Sequence, residues 1–239
     1  MGKAERLAAG GRGAGEEAVG RRIEAVILDM DGLMFDTERL AVEGWRMAGG
    51  EFGIEMPYDL VLSTVGTNTA DTREILERGL GRKIPFDEMR ARRFVYLWDV
   101  IDREGVPVKK GLGGLLDLLE GRSVPAAVAT STERGKTEKL LRMSGLYDRF
   151  QVLVCGDEVA RGKPAPDIFL AAAAGLDVQP GRCVVLEDSA SGIRAAHAAG
   201  MIPLLVPDLR EPPGEVVALA RGVFASLDEA AAYLSEPFG

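Results

Sequence analysis

Histidine occurs once in the 239 residues and cysteine twice. With His197 alone, histidine acid–base chemistry has a single possible donor, which shifts the expectation toward carboxylates. Two cysteines, Cys155 and Cys183, read as a reduced, intracellular chain rather than a disulfide framework. No apolar run approaches the ~18 residues of a membrane helix. A basic excess is also missing: the formal net charge is −8, which argues against bulk attraction to nucleic acid or to an anionic membrane. A small anionic substrate is still allowed, because a local site can reverse the global sign. The first residues, "MGKAERLAAGGRGAGEEAVGRR", lack the continuous apolar stretch of a secretory signal. Position 6 is Arg6, so the myristoylation pattern after Met-Gly fails. Residues 1–20 read as a flexible tail.

What is present is the balance of an ordinary globular protein, 46% apolar and 28% charged. From Arg21 onward, short apolar strands alternate with helices. The strands are placed at 23–28, 125–130 ("PAAVAT"), 151–156 ("QVLVCG"), 182–188 ("RCVVLED") and 201–207. The helices between them cover "GLLDLLEG", 133–144, 166–174 and 191–199. Such alternation predicts βαβ units and a parallel, doubly wound sheet, hence an α/β Rossmann-like fold. Between the first two strands the pattern changes. Residues 38–50, 57–64, 69–80 and 86–104 read as helices separated by breaks such as "GGEFG" and "GLGRK". The expected organisation is an α/β core built from 21–36 and 108–239, interrupted by a helical insertion over 37–107.

In doubly wound sheets ligands sit at the carboxyl ends of the strands. The strand ends here carry Asp29-Met30-Asp31, Thr130-Ser131, Gly156-Asp157 and Glu187-Asp188. Several carboxylates in one crevice repel one another unless a cation joins them, and an all-oxygen set without His or Cys points to Mg²⁺. Asp29, Asp31, Glu187 and Asp188 are the candidate metal group. Lys163, in "RGKPAPD", adds a fixed positive charge, so cation, lysine, hydroxyls and loop N–H groups together suit a phosphate. Gly32 permits the sharp turn that lets Asp29 and Asp31 divide their roles, one as nucleophile and the other as acid/base.

The runs "DMDGLMFDTE" (29–38), "VATST" (128–132), "GKPAPDIF" (162–169) and "VVLEDSASG" (184–192) resemble, in order, the four motifs of the haloacid dehalogenase-like hydrolase superfamily. The resemblance covers roughly residues 22–207. It implies a sheet of order 3-2-1-4-5 with an α-helical cap. It implies Asp29 as nucleophile, Asp31 as acid/base, Thr130 as phosphoryl-binding hydroxyl, Lys163 as charge stabiliser and the Glu187/Asp188 pair as Mg²⁺ holder, with Ser131 beside Thr130. The first and third motifs are most similar to the branch of β-phosphoglucomutase and sugar-phosphate phosphatases. Mutases of that branch carry a cap histidine twelve residues past the nucleophile. Ala41 stands there in this chain, and "STVGTNTADT" offers no match to their cap arginine. The implied activity is therefore hydrolysis of a small phosphorylated sugar or nucleoside through an aspartyl phosphate. A mutase-like phosphotransferase and a non-catalytic module on the same fold are the alternatives.

The remaining expectations are more modest. Thr67 and Asn68, in the helix-joining loop, are candidate substrate contacts. Arg46, Arg73 and Trp98 read as ordinary surface or packing residues, and Asp157 as a loop or capping residue. Ser189 is expected to cap the helix ahead of His197, itself a structural residue, and Asp36 to mark where the chain leaves the sheet. If the strand order holds, Cys155 and Cys183 lie roughly 14 Å apart, beyond disulfide reach. The expected setting is a cytoplasmic monomer acting on a small phosphorylated metabolite, without nucleic acid or membrane.

Overall fold

A computed structural model of the chain describes residues 23–236; the expected N-terminal tail lies outside the described residues. Six parallel strands form one sheet in the order β3-β2-β1-β4-β5-β6. They are β1 (Ala25–Leu28), β2 (Ala126–Thr130), β3 (Val152–Cys155), β4 (Cys183–Glu187), β5 (Ile202–Leu205) and β6 (Gly222–Val223). The order extends the expected five strands by one. β6 is two residues long, too short to show any periodicity in sequence.

The central strands β1, β2 and β4 are buried at every position, as expected when helices cover both faces of a parallel sheet. Alternate residues feed two different layers. Val26, Leu28, Val128, Val184 and Leu186 pack with α5 (Leu112–Gly121), α6 (Arg134–Met143) and α10 (Leu227–Ser235). Ala25, Ile27, Ala127, Ala129 and Val185 pack with α7 (Asp167–Gly175) and α8 (Ala190–Ala198). Small strand alanines on this second face let α7 and α8 lie close. Both cysteines are buried and free, on β3 and β4 with β2 and β1 between them.

Four helices lie between β1 and α5: α1 (Thr37–Glu51), α2 (Tyr58–Leu62), α3 (Thr69–Leu80) and α4 (Phe86–Glu104). Val42, Trp45, Ile54, Met56, Val61, Leu76, Phe86 and Met89 form their own apolar cluster. The layer is not insulated from the sheet. Leu97 and Ile101 of α4 belong to the cluster of β1 and α5, so α4 runs from one core into the other. Leu209, beyond β5, packs back against the helical cluster, and Arg210 donates to the carbonyls of Ser63 and Val65. The chain leaves and re-enters the sheet side by side. Asp36 N–H donates to Pro107 O, Lys109 N–H donates to Met34 O, and Phe35 and Val108 form an antiparallel bridge. Asp36 pairs with Arg39 at 3.0 Å and with Lys109 at 3.3 Å, which suits the structural part expected of it. The short helix α9 (Gly214–Val217) follows β5. Among the described residues no helix is long and apolar enough to cross a membrane.

Candidate active site

The strand order reverses between β1 and β4, and the carboxyl ends of these two strands bring Asp29 beside Glu187 and Asp188. Asp29 N–H continues the ladder by donating to Leu186 O at 3.1 Å. The chain then turns sharply: Gly32 has φ +87°, and its N–H donates to Phe35 O. A Cβ at Gly32 would stand 2.2 Å from Asp188 Oδ2. Glycine is thus required twice, for the left-handed backbone and for the approach of Asp188. The apolar remainder of the turn, Met30, Leu33, Met34 and Phe35, is buried beneath the site.

Oxygens of Asp29, Glu187 and Asp188 lie within 4.8 Å of one another. Lys163 Nζ donates to Asp29 Oδ1 at 2.5 Å, to Glu187 Oε1 at 2.6 Å and to Ala129 O at 3.0 Å. Its three protons are therefore all committed. Glu187 is fully buried; its second oxygen accepts from Ser189 N–H at 2.8 Å and from Ser189 Oγ at 2.9 Å. A Cβ on Gly192 would overlap Glu187 Oε1 at 1.7 Å, so α8 can lie over this carboxylate only because position 192 has no side chain. Both Glu187 oxygens are thus occupied, which makes Glu187 an anchor for Lys163. Ser189 Oγ accepts from Gly192 N–H and caps α8 as expected.

Asp31 stands apart from the three-carboxylate group. Thr37 Oγ1 donates to its Oδ1 at 2.6 Å and Thr132 Oγ1 to its Oδ2 at 2.7 Å. These bonds fix the carboxylate between Thr37 and Thr132, and its oxygens are not among those of the Asp29–Glu187–Asp188 group. Thr130 is buried, and its hydroxyl accepts from Thr132 N–H at 3.1 Å and lies 3.5 Å from Asp31 Oδ2. Ser131 is exposed, and a Cβ on Gly156 would meet its carbonyl at 2.2 Å, so β2 and β3 approach closely at this point.

Electrostatics follow from the crowding. Burial, helped by Glu187 and Asp31 and opposed by Lys163, pushes the Asp29 carboxyl up to about 8. Burial and then Glu187, Asp29 and Glu38 raise Asp188 well above the carboxylate range. Burial alone would depress Lys163, but Asp29 and Glu187 outweigh it and hold the ammonium charged. One cation among three carboxylates leaves negative charge uncompensated, and the donor set is oxygen only. That chemistry fits a hard divalent cation.

Asp29, Asp31, Thr130, Ser131, Lys163 and Asp188 line one cavity of about 740 Å³ between the sheet and the α1–α4 layer, with Glu187 buried behind it. Thr67 and Asn68 line it too, but their polar groups are spent locally. Thr67 Oγ1 donates to Thr64 O, and Asn68 caps α3 through Asp71. Of the residues expected to be structural, Arg73 pairs with Asp87 and covers Phe86, Arg46 pairs with Glu43, and Asp157 accepts from Arg134 N–H near the start of α6. His197 is exposed in the last turn of α8 and does not line the cavity.

Sequence reasoning missed Thr37 and Thr132, the two hydroxyls that orient Asp31. It also missed Glu38 and Arg93, which line the cavity. Thr37 and Glu38 lie inside the first motif, where a polar pair following an acid run was a usable signal. Burial, with Asp31 and more weakly Asp208, pushes the Glu38 carboxyl from its usual 4.5 up to about 7, against the opposing pull of Arg93 and the Gly66 N–H. The folded chain therefore holds the Glu38 proton more tightly than the unfolded chain does. Stability from this group is present below about pH 4.5 and is lost as pH rises to about 7, by up to ~1.4 kcal/mol per pH unit. Glu38→Gln removes that slope, so urea midpoints of variant and wild type should diverge in the variant's favour across this window. A constant difference would show that Glu38 titrates normally.

Residues 23–200 match the haloacid dehalogenase-like hydrolase family. A probable pseudouridine-5′-phosphatase of Drosophila melanogaster is 34% identical over 225 residues, 92% of this chain and 95% of that protein. The fructose-1-phosphate phosphatase of Escherichia coli is 35% identical over 185 residues, 75% of this chain and 94% of its own. The crystal structure of a putative β-phosphoglucomutase from Thermotoga maritima superposes with a TM-score of 0.73 at 30% identity, covering 88% of this chain and 98% of that one. With its sheet order, its strand-end carboxylates and a family match running from β1 to the end of α8, the chain belongs to the haloacid dehalogenase-like hydrolases.

Proposed function

We propose that this protein is a Mg²⁺-dependent phosphatase of small phosphorylated sugars or nucleosides, working through an aspartyl phosphate on Asp29. The observation that carries this reading is the Lys163 bridge between Asp29 and Glu187. It fixes one Asp29 oxygen at the carboxyl end of β1, beside a cluster suited to a divalent cation, in a cavity sized for a small ligand. Relatives named as phosphatases of pseudouridine 5′-phosphate and fructose 1-phosphate support the substrate class.

Asp29 and Asp188 would hold the Mg²⁺, with Glu187 behind them. When bound, the ion neutralises charge on the phosphoryl oxygens and orients them. The residues of this chain do the rest. Asp29 attacks phosphorus in line, and the P–O bond to the leaving alcohol breaks. Asp31, held by Thr37 and Thr132, gives its proton to the departing oxygen. It then takes a proton from the water that cleaves the aspartyl phosphate, and phosphate leaves. Lys163 and the Thr130 hydroxyl stabilise the phosphoryl charge. The α1–α4 layer acts as a cap that excludes bulk water and selects the alcohol. Ala41 lines the cavity and cannot shuttle a proton to a sugar hydroxyl, which favours hydrolysis over transfer.

Chelation tests the metal directly. EDTA should abolish phosphate release from fructose 1-phosphate, and Mg²⁺ should restore it. Because a bound cation neutralises the crowded carboxylates, Mg²⁺ should also raise the melting temperature. Full turnover in EDTA would contradict the reading.

A further inference from the structure

The wall of the cavity formed by α4 carries cations that no carboxylate neutralises. Arg90 and Arg93 line the cavity and make no ion pair among the described residues. Arg92, which points the other way, is bound by Glu51. Arg93 Nε is buried without a hydrogen-bond partner. The nearest anions, Glu38 and Asp31, act on it through space only. Across from α4, Lys136 of α6 also lines the cavity, 3.2 Å from Glu133. All three cations converge on one ring. Lys136 lies 4.3 Å, Arg93 4.9 Å and Arg90 5.1 Å from the centroid of Phe94.

Three like charges around one phenyl ring repel each other, and a chain of net charge −8 has carboxylates to spare for neutralising them. Among the described residues none pairs with Arg90 or Arg93, and the one pair in the group is Lys136 with Glu133. A ring already flanked by cations is also poorly placed to stack a nucleobase. What such a wall accepts is an oxyanion, which guanidinium groups bind through paired N–H donors.

We infer that the substrate carries a second anionic group, a carboxylate or a second phosphate on the leaving alcohol, bound by Arg93 and Arg90 with Lys136 adding charge. The inference rests on the phosphatase reading for its reaction, and on α4 with Lys136 of α6 for its specificity. The phosphoryl group that reacts sits at Asp29, on the sheet side of the cavity. The second anion sits on the helical side, and the distance between the two selects the length of the substrate.

Matched pairs of phosphate esters test this. Fructose 1-phosphate against fructose 1,6-bisphosphate adds a phosphate; glycerol 3-phosphate against 3-phosphoglycerate replaces a hydroxymethyl by a carboxylate. Wild-type enzyme should favour the doubly anionic member of at least one pair by about 10- to 100-fold in kcat/KM, and the preferred pair identifies the anion. Arg93→Gln should erase that preference mainly through KM, costing the doubly anionic member of the pair far more than the singly anionic one, and be partly rescued by Arg93→Lys. Arg90→Gln should weaken the same preference, and serves if Arg93→Gln fails to fold. Equal rates within both pairs, or equal losses on both members of a pair, would overturn the inference. Calorimetric binding of fructose 1,6-bisphosphate and 3-phosphoglycerate to Asp29→Asn protein, with and without Arg93→Gln, separates the two readings. Arg93-dependent binding with no hydrolysis anywhere would retain the anion site and reject the phosphatase.

Discussion

Asp29→Asn should lower phosphate release by at least ~10⁴-fold, about 5.5 kcal/mol in the barrier, while leaving the fold as stable as before or more so. The two halves of this expectation have different origins. Activity falls because an amide neither attacks phosphorus nor forms the acyl phosphate. Stability holds because Asp29 is one of three carboxylates around a single lysine. Its removal leaves Lys163 still bonded to Glu187 at 2.6 Å and to Ala129 O at 3.0 Å. The sign of the pH effect agrees. A carboxyl raised to about 8 in the folded chain contributes stability at low pH that is lost as pH rises toward 8, so at neutral pH its burial opposes folding in the metal-free protein, which must take up a proton that the unfolded chain has released. Burst-phase kinetics and thermal melts in EDTA would read both halves. Turnover comparable to wild type would remove Asp29 from the nucleophile's position. A large drop in melting temperature would show that the carboxylate is a structural partner of Lys163 rather than a burden on it.

Lys163→Met is expected to do the reverse and damage the fold as well as the chemistry. It leaves Asp29 and Glu187 buried with no cation between them, and breaking a buried pair in this way costs about 3–5 kcal/mol. For a chain of this size that lowers the melting temperature by roughly 10 °C. Lys163 has its pKa raised in the fold, so its stabilisation is in full force at every pH below its ordinary 10.5. The deficit of the variant should therefore be large at neutral pH and shrink in acid, as the orphaned carboxylates take up protons. Added Mg²⁺ should recover part of it, by supplying a cation to the same oxygens. Denaturant titrations at pH 5 and pH 8, each with EDTA or Mg²⁺, would show this. A deficit independent of both pH and metal would mean that Lys163 matters for packing against Phe169, whose ring it approaches at 4.9 Å, rather than for charge.

The strands were legible because a sheet covered on both faces demands continuous small and β-branched runs, and "AVIL", "AAVAT" and "CVVLE" have no other ready reading. The helices of the insertion were legible because Gly and Pro punctuate them. The gathering of Asp29, Glu187 and Asp188 followed from their shared place at strand ends, since topology alone brings such positions together, and Lys163 joins them from the loop between β3 and α7. What escaped were groups whose role depends on a partner far away in sequence. Thr132 differs in no local way from Ser131, yet Thr132 reaches Asp31 while Ser131 lines the cavity without that bond. Glu187 and Asp188 are neighbours of the same type, and only the contact with Lys163 and the bare position 192 distinguish the buried anchor from the carboxylate that lines the cavity. Arg93 sits in "RARR", a run that reads as a solvated helix face. Helical geometry turns Arg92 toward Glu51 and Arg93 into the cavity, a difference of one residue that composition does not carry.

The doubled stem at Phe35 and Val108 has an evolutionary reading. The four helices hang from the sheet by two adjacent threads, tied to each other by the bonds of Asp36 to Pro107 and Lys109 to Met34. A different helical module spliced at those two points, provided it refilled the places of Leu97 and Ile101 in the core of β1 and α5, would leave the register of all six strands, and so the placement of Asp29, Lys163 and Asp188, undisturbed. The groups proposed for bond breaking lie on the anchored side of the splice, and Arg90 and Arg93 lie on the exchangeable side. A lineage built this way can trade one substrate for another without reinventing its chemistry, and a protein engineer can cut at the same place.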